Sequence, residues 1–242
     1  MSDPSSIPTI IERGLPSAVT YDLSTPGHVR ITLPPSSTWS SGLHWHETHD
    51  EYLQVIKGSI RVRLGDERII LSAADGHHPE VKVPRFAWHE WQRAEPDGEA
   101  VIVVERTDPD EGDKALFFWN LNGVILSAPS LLRDPNTSLI ARAPALFRGK
   151  LLDLYITLSL FIIFHSLDNF PVVLDVPSIV PSVARFRALG VVDGIITHVL
   201  LSVSSTLGWI FGLKPVRKEF TPSDAYNDWW ERRNGSVGRK SS

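Results

Sequence analysis

The sequence predicts a mainly-β chain: an antiparallel sandwich or barrel followed by an apolar α-helical extension. Three observations predict it. Eight or nine short strand-like runs, separated by turn clusters, fall within about ninety residues. Beyond Asp108 the apolar spacing changes from alternation to a helical stripe. And three histidines and three carboxylates are packed into the eight residues His44–Glu51, with His44 and His46 spaced to share one face of a strand.

Residues 1–18, rich in Ser and Pro, read as a flexible arm. Val19–Leu23 and His28–Leu33 are β-like runs around the turn cluster Ser24-Thr25-Pro26-Gly27. A loop containing Trp39 leads to the His44–His46 strand, and Glu51–Ile56 follows. Lys57-Gly58-Ser59 is a turn. Ile60–Leu64 alternates apolar and basic residues, which puts Arg61 and Arg63 on a wet face. Gly65-Asp66 closes a hairpin whose return strand is Glu67–Leu71. Asp75–Pro79 is a loop, Val81–Pro84 a strand end, and Trp88–Arg93 and Ala100–Arg106 are strands, so the β domain covers 19–107. Asp108–Asp113 places negative charge where a helix N-terminus favours it. The helical extension covers 108–233: Lys114–Leu126, the apolar stretches Leu151–Leu167 and Val191–Leu213, and a short helix within Thr221–Arg233. Phe170–Pro181 holds three prolines and breaks any continuous helix. Residues 234–242 read as a disordered tail.

Composition excludes several classes. Net charge is −4, from 24 basic and 28 acidic residues, with no basic run, so no nucleic-acid partner is expected. There is no cysteine, so disulfides, thiolate metal sites and cysteine nucleophiles are out, and any metal needs nitrogen and oxygen ligands. Met1–Ile10 lacks a basic stretch followed by an apolar core, so no signal peptide is expected and the location reads as intracellular, cytoplasmic or membrane-associated.

His44 and His46 look into one space, and Glu51 opens the next strand, which makes three quarters of a metal site. Pro84-Arg85-Phe86-Ala87-Trp88-His89 offers the fourth ligand in His89. His49, His77 and His78 are more often solvated loop residues, and His28, His165 and His198 are weaker candidates still.

With these residues placed, the chain resembles the cupin superfamily. Its first motif is His-x-His, three or four residues, Glu, six residues, Gly, and His44, His46, Glu51 and Gly58 match it. Its second is Pro-x-Gly, two residues, His, three residues, Asn, and Pro84 and His89 match in spacing. Phe86 replaces the glycine, Arg93 stands at the asparagine, and Thr38 stands where a glycine precedes the first motif. The resemblance covers about residues 19–107. It implies a cupin-type antiparallel β-barrel, a double-sheet jelly roll, with a metal inside.

Three imidazoles and a carboxylate suit a divalent Fe, Mn, Ni, Cu or Zn ion. Such a site polarises a carbonyl or enolate, or activates dioxygen. Trp39, Phe86 and Trp91 near the ligands suggest a pocket for a hydrophobic or aromatic small molecule, although tryptophans also pack a barrel without any ligand. His49 and Glu90 are the candidates for proton transfer. The expectation is a metal-dependent enzyme of small-molecule metabolism: an oxidoreductase of the oxygenase kind, or an isomerase or cyclase working through a metal-bound enolate. The alternative is a non-catalytic small-molecule binding protein. The stretches 151–167 and 191–213 contain no Lys or Arg and are candidates for membrane contact; otherwise they pack on the barrel or form an oligomer interface such as a homodimer.

Overall fold

The structure is a computed structural model that describes residues 7–74, 76–136, 138–175 and 188–235. The loop residue Asp75, residues 176–187 of the proline-rich segment and its C-terminal flank, the first part of the arm (1–6) and the tail from 236 lie outside the described residues. The chain forms two compact units. One holds Pro8–Ala115 and the described residues between Asp168 and Val199; the other holds Leu116–Leu167 and the described residues from Leu200 on.

The first unit is two antiparallel sheets. Its strands are β1 (Ile10–Arg13), β2 (Val19–Asp22), β3 (Val29–Leu33), β4 (His44–Trp45), β5 (Asp50–Lys57), β6 (Ser59–Leu64), β7 (Glu67–Ser72), β8 (Glu80–Val83), β9 (His89–Arg93), β10 (Val101–Asp108) and β11 (Phe170–Pro171). The six-stranded sheet runs β1-β2-β3-β10-β5-β8, and the five-stranded sheet runs β11-β4-β9-β6-β7. This is a jelly-roll arrangement, with the core between the sheets. Alternation decides which side chains enter it: Leu53, Val55 and Val103 come from one sheet and Ile60, Val62 and Trp91 from the other, all fully buried. Burial of side chains this large stabilises the unit by roughly 1.5–3 kcal/mol each.

Two strands lie where none was expected. Ile10–Arg13 is not part of a loose arm but pairs with Val19–Asp22. Phe170–Pro171, more than a hundred residues downstream, adds to the edge at His44–Trp45. Arg63, expected on a wet face, makes a two-pronged ion pair with Asp175 at 2.8 and 3.0 Å. The turn after β5 requires its glycine. Gly58 has φ +73°, and a Cβ there would lie 3.0 Å from Val101 Cγ2 and 3.1 Å from the Ala100 carbonyl oxygen.

The helices are α1 (Asp113–Ser127), followed by a 3-10 turn (Ala128–Leu132), α2 (Leu139–Arg142), α3 (Ala145–Ser166), α4 (Ala188–Ile210) and α5 (Ser223–Gly235). The interior of the second unit is partly polar. Asn120 and Asn122 are fully buried. Asn120 Nδ2 donates to the Leu116 carbonyl and to Thr221 Oγ1, while its Oδ1 accepts the Arg217 amide. The Arg217 guanidinium donates to Tyr155 Oη at 2.8 Å and Ser159 Oγ at 3.0 Å.

Candidate metal centre

Strand pairing brings the predicted ligands together. His44 on β4 is the direct antiparallel partner of His89 on β9, and their ring centroids lie 4.1 Å apart. His46 follows two residues on, with centroids 4.9 Å from His44 and 5.1 Å from His89. Glu51 reaches the same point from β5 in the opposite sheet. One ligand atom from each of His44, His46, Glu51 and His89 lies within 4.8 Å of the other three, and all four residues are buried.

The imidazoles are oriented by the backbone. His44 Nδ1 lies 2.8 Å from the Gly42 carbonyl oxygen, and His89 Nδ1 lies 3.0 Å from that of Ala87. His46 Nδ1 bonds the Asp168 carbonyl oxygen. A proton on each Nδ1 donates to its carbonyl and leaves Nε2 with a lone pair, the tautomer that metal ligation requires. The Nε2 atoms of His46 and His89 are buried and face Glu51. They lie 3.8 and 2.9 Å from Glu51 oxygens. Buried, inward-facing imidazole nitrogens converging on a carboxylate fit a divalent ion of the N3O preference.

Burial holds the His46 imidazolium pKa down at about 4, and burial together with its histidine neighbours holds His44 well below the usual range. Both are therefore neutral at physiological pH. Burial alone would raise the Glu51 carboxyl, but the Lys114 ammonium and the imidazoles outweigh it and hold it well below the usual range, so it is ionised.

Sequence reasoning missed Lys114. It lies in the first turn of α1, and its Nζ forms an ion pair with Glu51 and, at 2.9 Å, with Glu105. Glu105 is buried on β10 and also accepts Trp91 Nε1 at 2.7 Å. Burial raises its carboxyl, with Lys114 opposing. The ammonium is kept charged because Glu105 and Glu51 outweigh its own burial. Lysine beside an acidic turn has the sequence signature of a solvated helix start, so only the fold exposes its role.

Asp168 was missed as well. Its φ of +54° is rare for a non-glycine residue. That conformation aims its carbonyl at His46 while its carboxylate accepts the amides of Glu47 and Thr48 at 2.9 Å and Thr48 Oγ1 at 2.7 Å. The carboxylate also lies 2.9 Å from His49 Nδ1. Burial would raise its carboxyl, but these donors outweigh that and lower it to about 2. His46, His49 and Asp168 form a second close group. His46 Nδ1 is bonded to the Asp168 carbonyl and the Asp168 carboxylate gathers Glu47–His49, so Asp168 latches this loop.

The other predicted residues are sorted by strand face. His49 lies beside His46, centroids 4.3 Å apart. Glu90 is not brought to the cluster: it alternates with His89 onto the other face of β9 and accepts Ser40 Oγ at 2.7 Å. Trp39 and Trp91 are buried and pack at 4.8 Å, with the Trp39 indole N–H donating to Tyr21 Oη. Phe86 does not line a buried pocket. It occupies the glycine position of the second motif at φ +62°, in a turn tied to the His46 carbonyl by its amide, and its ring is 64% exposed.

No protein-family model matches the chain, and no curated protein matches it by sequence. Solved structures do show similarity. The capsular polysaccharide assembling protein CapF from Staphylococcus aureus is 18% identical, over 40% of this chain and 30% of that one, with a TM-score of 0.32. This chain thus spans less than a third of CapF. KdgF from Halomonas sp. is 24% identical, over 40% of this chain and 84% of that one, with a TM-score of 0.30. The Drosophila melanogaster CENP-C cupin domain is 13% identical, over 44% and 83%, with a TM-score of 0.31. Each likeness covers less than half of this chain.

Proposed function

We propose that this chain is a mononuclear metal-dependent enzyme of the cupin type, acting on a small hydrophobic or aromatic molecule as an oxygenase, or as an isomerase or cyclase through an enolate. One observation carries the reading: three imidazoles and one carboxylate, from two sheets, meet at a single buried point. His44, His46, Glu51 and His89 would hold the ion. Once bound, the ion supplies Lewis acidity and, if redox-active, an electron source for dioxygen.

The protein's own groups supply the rest. The Lys114 ammonium beside Glu51 offers a cation to a substrate oxygen that gains negative charge. His49, its Nδ1 held by Asp168, keeps Nε2 for proton transfer. Trp91 and Trp39 form an apolar wall anchored by Glu105 and Tyr21, which excludes water from that side.

The ion pair between Lys114 and Glu51 favours a second reading, a barrel that binds a small molecule without turnover, because it neutralises Glu51 with no ion present. Elemental analysis of protein purified without added metal tests the first reading. About one equivalent of a transition metal is expected, lost in His89→Ala with the fold retained. Absence of metal, with no uptake of iron, manganese, nickel, copper or zinc, overturns it. Dioxygen uptake or product formation with aromatic candidates, abolished by Glu51→Ala, separates enzyme from binding protein.

A further inference from the structure

Helix α4 is built inside out for a helix in water. Its buried stripe is Asp193, Thr197, Leu201 and Ser204, with Gly208 facing Ile162. The spacing of four, four, three and four residues follows one helical face. The polar members are satisfied inward: Asp193 accepts the amides of Leu174 and Asp175 at 3.2 and 3.0 Å, and Thr197 donates to the Pro171 carbonyl at 2.8 Å. The outward face carries Val192, Ile195, Val199, Val203, Leu207 and Ile210, each between 38% and 61% exposed, with the exposed Ser202 and Thr206 among them, the Thr206 hydroxyl donating back to the Ser202 carbonyl. A helix on a water-soluble protein places these two stripes the other way round. Small and polar residues against protein, with branched apolar residues outward, is the arrangement lipid selects.

Length and charge agree. The outward stripe rises about 27 Å along the axis, close to the hydrocarbon thickness of a bilayer, about 30 Å. From Val191 to Leu213 the one Asp, Glu, Lys or Arg is Asp193, which faces inward, and the half-exposed His198 is tied to Glu47 at 2.9 Å. Trp209, 81% exposed, stands near the end of the stripe, and the exposed Lys214 and Lys218 follow. An indole followed by ammonium groups complements the headgroup level and phosphates of a membrane.

We propose that the outward face of α4 lies in the acyl region of a lipid bilayer, with Trp209 at the headgroup boundary and Lys214 and Lys218 against lipid phosphates. A second copy of the chain is the competing occupant. Interfaces between soluble chains carry a polar rim that shares hydrogen bonds, whereas the buried polar groups of this helix are turned to its own protein. The inference does not depend on the metal centre.

The test is flotation of the purified full chain with vesicles of phosphatidylcholine and phosphatidylglycerol, some carrying brominated acyl chains. The chain should float, bromine should quench its tryptophan emission, and Trp209→Phe should remove most of that quenching while the chain still floats. Val199→Glu with Val203→Glu should abolish flotation with the circular dichroism and thermal melt unchanged. Three results overturn the proposal: a chain that stays with the unbound protein, binding that molar salt removes entirely, or a soluble dimer that the double variant splits.

Discussion

Lys114 donates to Glu51, the carboxylate that lies against His46 and His89, and the same ammonium is shared with Glu105. One cation thus balances two buried carboxylates at the point where a divalent ion would bind. A metal must share Glu51 with this internal cation, and the two repel. Lys114→Met removes the competitor. It should tighten cobalt or zinc binding about tenfold, equal to about 1.4 kcal/mol. Its metal-free form should melt lower, because two buried carboxylates lose their partner, a loss on the order of 3 kcal/mol. Competition against a chromophoric chelator and thermal melts with and without metal measure both. Weaker binding in the variant would show that Lys114 instead orders Glu51 as a ligand.

Asp168 acts on the centre through His46. Its carbonyl fixes the His46 tautomer, and its carboxylate gathers the Glu47–His49 loop. Asn tolerates a positive φ and keeps one acceptor oxygen, whereas Ala does neither well. Asp168→Ala should therefore weaken metal binding by 10- to 100-fold, the usual cost of losing a group that orients a ligand, and Asp168→Asn should lie much closer to the parent. Equal losses in both would place the effect in the carboxylate charge alone.

The barrel was legible because its strands alternate. Ile60–Leu64 and Glu67–Leu71 pair as expected in β6 and β7, and Ala100–Arg106 lies largely within β10. The clustering of His44, His46, Glu51 and His89 was legible because a period of two and a fixed motif spacing survive folding unchanged. What stayed hidden has no local pattern. Lys114 meets Glu51 across 63 positions, and Asp168 meets Glu47 across 121. The strand Ile10–Arg13 was masked by the Ser and Pro around it, and Phe170–Pro171 is too short to show a period. Glu90 and Phe86 looked close to the ligands in sequence, but strand alternation and a left-handed turn turned them away.

Gly58, the turn glycine of the first motif, tests whether that spacing is physical. Ala at φ +73° costs about 1–2 kcal/mol in backbone strain. Its Cβ would also press on Val101 and the Ala100 carbonyl. Gly58→Ala should destabilise the protein by about 2–3 kcal/mol in urea unfolding, whereas Gly65→Ala, with nothing within 4 Å of its Cβ, should cost the backbone strain alone.

Tyr21 carries a pH dependence far from the histidines. Its hydroxyl accepts the Trp39 indole N–H at 2.8 Å and an Arg13 N–H at 3.1 Å. Burial raises the phenol to about 12, with Arg13 opposing. An unfolded tyrosine gives up its proton near pH 10. Between these values the unfolded chain binds fewer protons than the folded one, so raising the pH favours unfolding. The contribution is fully present below about pH 10 and is lost as pH rises towards 12, on the order of 2–3 kcal/mol over that window. Tyr21→Phe should lose about 1–3 kcal/mol at neutral pH by leaving the Trp39 donor without its acceptor. Above pH ~10 the variant should fall less steeply than the parent. Urea unfolding of both proteins at about pH 8 and about pH 11 measures the difference in slope, and parallel losses would show that Tyr21 does not carry the alkaline transition.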